Sequence, residues 1–171
     1  MLPLVEGFLL SSTGVILMIL FEFCISMDDV KRFRAREGGK ELHAAGIFST
    51  IFNHLLFGPC TYHLTIHYGF IKEYDTGNRA LWQQAYSVVM FLLIENGLYY
   101  CAHWAMHTRQ FYTIHRFHHR FNYIVLPSSA SAVSIPEFLL AYMTPFIFAA
   151  WGSSSDKASA VVAVLMVITA N

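Results

Sequence analysis

Long stretches without a formal charge constrain this chain more than any other feature of its sequence. No Asp, Glu, Lys or Arg occurs in Gly7–Phe21 or in Ile47–Ile71, which are 15 and 25 residues long. A helix needs about 20 mostly apolar residues to cross the hydrocarbon core of a bilayer. Only 13% of the 171 residues are charged and 56% are hydrophobic, whereas a soluble domain carries about 25% charged residues. We therefore predict an all-α integral membrane helix bundle.

The charge balance and the cysteines exclude several other classes of protein. Eleven basic and eleven acidic residues give a formal net charge of zero, so no basic surface is available for a nucleic-acid backbone and no nucleic-acid partner is expected. The three cysteines lie in separate apolar blocks without paired spacing. This pattern predicts neither a disulfide framework nor a cysteine-based zinc site.

The basic residues predict the orientation of the helices. Met27–Gly46 contains five of them and Thr108–Pro127 contains three, whereas the connector Lys72–Trp82 contains two. Cytoplasmic loops of membrane proteins are enriched in Lys and Arg. We therefore expect the first two segments to be cytoplasmic loops and the connector to lie on the other side of the membrane.

The same pattern divides the chain into two regions. Residues 1–82 contain N-terminal transmembrane helices and loops, and residues 83–171 contain the candidate functional residues. Helices are predicted from about Leu4 to Ser26, over Ile47–Ile71 and from near Leu81. Two shorter apolar stretches, Phe138–Trp151 and Ala158–Ala170, predict a hairpin that does not fully span. The last stretch ends at Asn171 without a polar cap, which suggests a C-terminally truncated form.

Histidines are concentrated in one short segment. Five of the nine lie between positions 103 and 119, where uniform scatter would place about one. His103 and His107 are four residues apart and share one helix face, and the other three fall within about 100° of arc if that segment is helical. Neutral imidazoles bind iron, zinc and copper and leave coordination positions for dioxygen or water. The predicted metal ligands are His103, His107, His115, His118 and His119.

Neighbouring polar residues suggest how such ligands are oriented, and one residue excludes a competing function. A zinc metalloprotease needs Glu directly after the first histidine of the pair, and this chain has Trp104 there. Asn96 lies on the same helix face as His103 and could orient an imidazole. Glu95 is an ionisable residue in an apolar helix, which favours a functional role.

The remaining histidines are expected to have structural roles. His63 and His67 repeat the four-residue spacing, but the predicted topology places them at the far end of helix two, where interhelical hydrogen bonds are expected. His54 is interpreted as a packing residue, and His43 is expected to be solvated in the charged loop.

The motif His103-Trp-Ala-Met-His107, followed after seven residues by His115-Arg-Phe-His118-His119, resembles the fatty acid hydroxylase and sterol desaturase superfamily. The resemblance covers roughly residues 95–137. Three residues before the first histidine that family has Tyr, as does this chain at Tyr100, and seven before it the family has Asp, where this chain has Asn96. The family tends to continue with His-Pro-x-Glu, and here the chain reads Ser134-Ile135-Pro136-Glu137.

The resemblance implies a membrane-bound di-iron oxygenase that hydroxylates or desaturates a lipid, such as a sterol C4-methyl group or a fatty acyl chain. It implies dioxygen as co-substrate, cytochrome b5 or a reductase as a separate electron donor, and the endoplasmic reticulum membrane as the location. Tyr100, which matches the family, joins Glu95 and Asn96, proposed above from their position on the helix, as the residues expected to support the metal ligands.

Two alternatives remain open at this stage. The family carries further histidine motifs downstream, and this chain ends 52 residues after His119. This favours a truncated, catalytically inactive member that acts by binding a metal or a partner. A zinc-handling membrane protein would need polar residues lining a path through the bilayer, which only predicted helix two offers.

Overall fold

A computed structural model describes residues 3–25, 27–71 and 79–170 of the chain. Within these ranges the protein is helical and contains no β-strand, which confirms the predicted all-α class. The elements are α1 (Pro3–Ile25), α2 (Met27–Ala35), α3 (Gly39–His67), α4 (Leu81–Met106), α5 (Tyr112–His115), a 3₁₀ turn (His118–Phe121), α6 (Pro127–Ala130), α7 (Ile135–Glu137), a π-helical segment (Phe138–Met143), α8 (Thr144–Gly152) and α9 (Lys157–Ala170).

Three helical stretches in the described ranges are long and apolar enough to cross a membrane, which is consistent with a membrane protein. They are Pro3–Cys24, Leu81–Met106 and Ile135–Gly152. The last of these was predicted as a short arm of a hairpin, but α7, the π-helical segment and α8 follow one another without a break and reach 18 residues. α9 has 14 residues and is shorter.

The predicted second membrane helix, Ile47–Ile71, is not among the three spans. It forms the greater part of α3, whose face carries buried polar residues such as Thr50, Asn53 and Thr65. These groups lower its hydropathy, so the absence of formal charge in this stretch did not identify a lipid-facing span. α3 also begins eight residues earlier than predicted, at Gly39.

α1 packs mainly against α3, and glycines let the two backbones approach closely. A Cβ atom added at Gly7 would lie 2.9 Å from Tyr62 Cβ and 3.0 Å from Pro59 Cα. A Cβ atom at Gly58 would lie 2.3 Å from Ser11 Oγ. Helix association in lipid depends on such close contact at small residues, because lipid tails are as apolar as the helices.

The charged segment after α1 was expected to be a solvated loop, but it forms α2 and the first turns of α3. Val30 and Phe33 of α2 are buried, as is Leu42 of α3. Gly38 between the two helices has a φ of 64°, a left-handed conformation that glycine adopts without a steric penalty. The turn allows the apolar face of α2 to fold back on α3.

His43 was also expected to be solvated, and this prediction is wrong. Its side chain is 5% exposed, and Nε2 lies 2.6 Å from Glu22 Oε1 at the end of α1. The other carboxylate oxygen of Glu22 accepts the backbone N–H of Ser128 at 2.8 Å. A buried carboxylate requires such partners, and His43 supplies one because the α2 turn brings the start of α3 beside the end of α1.

A small apolar core fixes the chain that follows the histidine-rich segment. The ring of Phe121 stacks on Phe33 with centroids 5.9 Å apart, and a Cβ atom added at Gly46 would lie 2.8 Å from that ring. Arg36 donates a hydrogen bond to the Arg120 carbonyl at 3.1 Å. These contacts tie the 3₁₀ turn to α2 and α3.

We expect Gly7→Ala to lower the stability of the bundle, because the added methyl group overlaps Tyr62 and the Pro59 backbone. Overpacking costs about 1–3 kcal/mol. Gly97→Ala is the matched control, since a Cβ atom there meets nothing within 4 Å and alanine favours helix. Thermal unfolding in detergent micelles should separate the two variants, and equal melting temperatures would contradict the close α1–α3 contact.

Candidate metal centre

The five histidines of the 103–119 segment converge on one cluster. Ring centroids lie 5.0 Å apart for His103 and His107, and 4.5 Å apart for His103 and His115. His119 lies 4.8 Å from His107 and 4.5 Å from His115. His118 lies 5.3 Å from His115 and 6.2 Å from His103. The two sequence motifs therefore face each other across the turn that connects them.

Three helical elements present these rings. The last turn of α4 carries His103, and His107 caps the C-terminus of α4 directly after Met106. His115 ends α5, and the 3₁₀ turn begins at His118. The Nε2 atoms of His103 and His107 are 3.2 Å apart, and one ligand atom from each of His103, His107 and His115 lies within 4.8 Å of the others. These three residues could hold a metal ion.

A buried carboxylate orients His115. The His115 side chain is fully buried, and its Nδ1 lies 2.6 Å from Glu137 Oε1. Glu137 is 1% exposed and sits in α7, directly before the π-helical segment. A carboxylate on one imidazole nitrogen fixes the tautomer and leaves the other nitrogen as a metal ligand. The bond therefore directs Nε2 of His115 into the cluster.

Unpartnered nitrogens show that the cluster fits a metal ion. The buried side-chain nitrogens without a hydrogen-bond partner in the described chain include His115 Nε2, His118 Nδ1 and His119 Nε2. A buried polar atom without a partner costs free energy, and these three belong to rings within 6.1 Å of one another. Imidazole nitrogen is a ligand that divalent transition metals accept, and His115 belongs to the group of three residues whose ligand atoms lie within 4.8 Å of one another.

The cluster keeps its imidazoles neutral. Burial, followed by the neighbouring imidazoles, lowers the pKa of His115 to about 3. Burial also lowers the pKa of His118 and the pKa of His119, with further contributions from His103 and His107. Because a metal ion competes with protons for the same nitrogen atoms, low pKa values favour metal binding near neutral pH.

An opening gives access to the cluster. A cavity of about 280 Å³ is lined on one side by four of the histidines and on the other by Phe121, Asn122, Val125 and Ser129. Val125 at its rim is 74% exposed, and Phe121 lies at its inner wall. The lining histidines are His103, His107, His118 and His119.

The structure does not bring the three predicted supporting residues to the imidazoles. Asn96 shares a helix face with His103 but lies seven residues away, which is about 10 Å along the axis, and its amide donates to the Leu92 carbonyl at 2.8 Å. Tyr100 is 68% exposed, and Tyr99 packs against His103 instead, with centroids 5.5 Å apart. Glu95 is buried and lines an apolar cavity within the bundle.

The other histidines lie outside the cluster. His63 and His67 face each other on α3 with centroids 6.0 Å apart. His54 hydrogen-bonds the Thr50 carbonyl through Nδ1 at 2.9 Å and packs against Phe138. The packing role predicted for His54 agrees with these contacts.

Sequence reasoning missed Glu137 and Tyr142. The Pro136-Glu137 pair was noted only as a departure from a family pattern, although a Glu after a serine N-cap next to an apolar span was a usable signal. Tyr142 lies in the π-helical segment, donates to the Ala130 carbonyl at 3.1 Å and packs on Tyr99 at 5.5 Å. π-helical insertions are frequent at functional sites, and composition does not reveal them.

Comparison with known proteins adds no relative to this description. No protein-family model matches the chain, and no curated protein and no solved structure matches it either.

We expect Glu137→Gln to weaken metal binding about 10- to 100-fold, the usual cost of losing a carboxylate that orients a histidine ligand. The amide keeps the shape of the side chain but is a weaker hydrogen-bond partner for the Nδ1 atom of His115. Affinity should be measured by competition with a chromophoric chelator in detergent. Glu41→Gln, at an exposed position, is the control, and equal affinities of the two variants would contradict the role of Glu137.

The histidine cluster should make the stability of the metal-free protein fall with decreasing pH. In the unfolded chain the histidines bind a proton near pH 6.5, whereas the folded state holds the pKa of His115 at about 3. Protonation of His115 therefore favours the unfolded state from about pH 6.5 down to about pH 3. Unfolding curves of Glu137→Gln, in which the partner of His115 does not titrate, should show lower stability at pH 5.5 than at pH 7.5, and coincident curves would speak against the buried neutral cluster.

Proposed function

We propose that the protein is a membrane-bound non-haem iron oxygenase that hydroxylates or desaturates a lipid. The observation that carries the proposal is the cluster of five imidazoles, one of them held by a buried carboxylate, at the end of a membrane-length helix. Three of its buried nitrogens lack a partner. An all-nitrogen ligand set suits iron and leaves positions open for dioxygen.

In the proposed enzyme the five histidines of the cluster hold the iron, with a di-iron centre as the expected form. Bound iron supplies the activation of dioxygen and the attack on an unactivated C–H bond. Hydroxylation inserts one oxygen atom into the C–H bond and releases the other as water, with two electrons from a donor and two protons. Cytochrome b5 or a reductase is the proposed donor.

The chain's own residues orient the ligands and shape the approach to them. Glu137 keeps Nδ1 of His115 engaged, so that Nε2 faces the cluster. Phe121 and Val125 give the opening an apolar wall, against which a hydrocarbon chain loses contact with water. A second, largely apolar cavity of about 110 Å³ lies inside the bundle between α1, α3, α4 and α8 and offers room for a short hydrocarbon segment.

The proposed location is the endoplasmic reticulum membrane with the cluster on the cytoplasmic side. Arg109, Arg116 and Arg120 lie within the histidine-rich segment and are exposed. Basic residues of this kind favour the cytoplasmic side of a membrane. They would also attract an acidic electron-donor protein.

A second candidate is a catalytically inactive protein that binds a metal or a partner. It is favoured by the ligand count, because only His103, His107 and His115 form a group of three ligand atoms within 4.8 Å in the described residues. A two-metal centre needs more ligands than a single group of three.

The test is iron content together with lipid oxidation. The protein is expressed with added iron, purified in detergent with native lipid, and analysed for metal by mass spectrometry and for lipid products 16 Da heavier or 2 Da lighter. The double variant His103→Gln/His107→Gln should lose the metal. His63→Gln/His67→Gln is the matched control, because this pair has the same spacing on a helix but lies outside the cluster.

The outcomes separate the two candidates. Bound iron with oxidised lipid, both lost only in the 103/107 variant, supports the oxygenase. Bound iron without any turnover, in the presence of a donor and dioxygen, favours the inactive metal-binding protein. Wild-type protein that holds no metal with all five histidines intact would overturn the oxygenase and leave only the partner-binding form of the second candidate.

A further inference from the structure

We infer that Asn53, assisted by Ser49, is a positioning residue that holds His115 in place from the neighbouring helix α3. Asn53 and Ser49 hydrogen-bond the backbone at the end of the segment from Ser128 to Val133. This segment leads directly to Ser134, which contacts the chain beside His115. The metal readout of this inference rests on the proposed function, whereas the positioning of the ring does not.

Polar side chains of α3 hold this segment through hydrogen bonds to its backbone carbonyls. Asn53 Nδ2 donates to the Val133 carbonyl at 3.0 Å, and Ser49 Oγ donates to the same oxygen at 2.6 Å. One turn away, Thr50 Oγ1 donates to the Ser128 carbonyl at 3.2 Å. The backbone between the two carbonyls is therefore fixed at both ends by one helix face.

The segment carries this constraint to His115 through the next residue, Ser134. Ser134 donates from Oγ to the Ile114 carbonyl at 2.8 Å and accepts the Glu137 N–H at 3.3 Å. Ile114 precedes His115 in the chain, and Glu137 binds the His115 ring. Both contacts therefore start one residue from the carbonyl that Asn53 holds.

The burial of Asn53 argues against a role in packing alone. The residue is 1% exposed, and its Oδ1 atom has no hydrogen-bond partner. Burying a polar atom without a partner is costly, so an apolar side chain would pack here at lower cost if packing were the only requirement. The Nδ2 bond to Val133 is what the amide provides and an apolar residue cannot.

Asn53→Leu tests this inference, because leucine keeps a similar volume and removes the donor. Thr65→Val is the matched control on the same helix. Thr65 is also 1% exposed and donates to a backbone carbonyl, that of Tyr62 at 2.8 Å, but it is three turns from Asn53. Both variants lose one buried hydrogen bond, and only one loses a contact with the Ser128–Val133 segment.

The first readout uses the metal-free protein. Deuterium exchange at the imidazole C2 atom reports the surroundings of each ring, and trypsin cleavage after Arg109 and Arg116 yields a peptide that contains His115 as its only histidine. Loss of one buried hydrogen bond that restrains the ring should speed exchange at His115 about tenfold in Asn53→Leu. Thr65→Val should leave this rate unchanged.

The second readout is the binding of Co²⁺, whose visible absorption spectrum reports the geometry of its ligands. Asn53→Leu should bind Co²⁺ about tenfold more weakly, as for other residues that hold a ligand in place, with an altered spectrum. Should the leucine variant fail to accumulate, Ser49→Ala removes one of the two donors to Val133 and should produce a smaller shift in the same direction.

Faster exchange at His115 in Asn53→Leu and not in Thr65→Val supports the inference. This holds even if the wild-type protein binds no metal. Absence of metal would overturn the proposed function and not the positioning role. Equal exchange rates and equal Co²⁺ spectra in wild-type protein and Asn53→Leu would overturn the positioning role. Equal acceleration in both variants would also overturn it, because the effect would then be general loosening of α3.

Discussion

The structure depends on the buried contact between His115 and Glu137. At 2.6 Å, it joins two residues 22 positions apart and brings the start of the Ile135–Gly152 span beside the end of α4. A buried carboxylate is destabilising unless it is paired and hydrogen-bonded. The requirement that Glu137 find a partner therefore selects one arrangement of the two spans, and that arrangement is the one in which the five imidazoles meet.

A second pair of the same kind, Glu22 with His43, joins α1 to α3 at the same distance of 2.6 Å. The two pairs differ in whether the second ring nitrogen of the histidine is a buried atom without a hydrogen-bond partner. Among the described residues, the buried nitrogens without a partner include one of His115 and none of His43. Glu22 also holds the N–H of Ser128, so this pair anchors the supporting segment, whereas Glu137 orients a candidate ligand.

The histidine cluster was predictable from sequence because local geometry determines most of it. His103 and His107 share one face of a helix whose extent follows from the apolar pattern. A short turn then places the second histidine motif beside the first. The pairing of Glu137 with His115 and the burial of His43 were not predictable, because both depend on contacts across more than twenty residues. The charged segment of α2 was misjudged for a related reason: its buried Val30 and Phe33 are few, and only the turn at Gly38 shows which surface they cover.

The five histidines differ in how rigidly the fold holds them. His103 belongs to the 26-residue helix α4, and His107 is the C-cap residue of that helix, so they are supported by the backbone hydrogen bonds of a long helix. The other three lie in two four-residue elements that cannot hold their own shape, because isolated helices of this length are unstable. Their position depends on the segment that packs against them, Ser128–Val133, whose backbone is hydrogen-bonded to α3. The affinity of the site for a metal is therefore determined as much by α3 as by the motif residues, and an intact set of histidines is not a sufficient sign of a working centre.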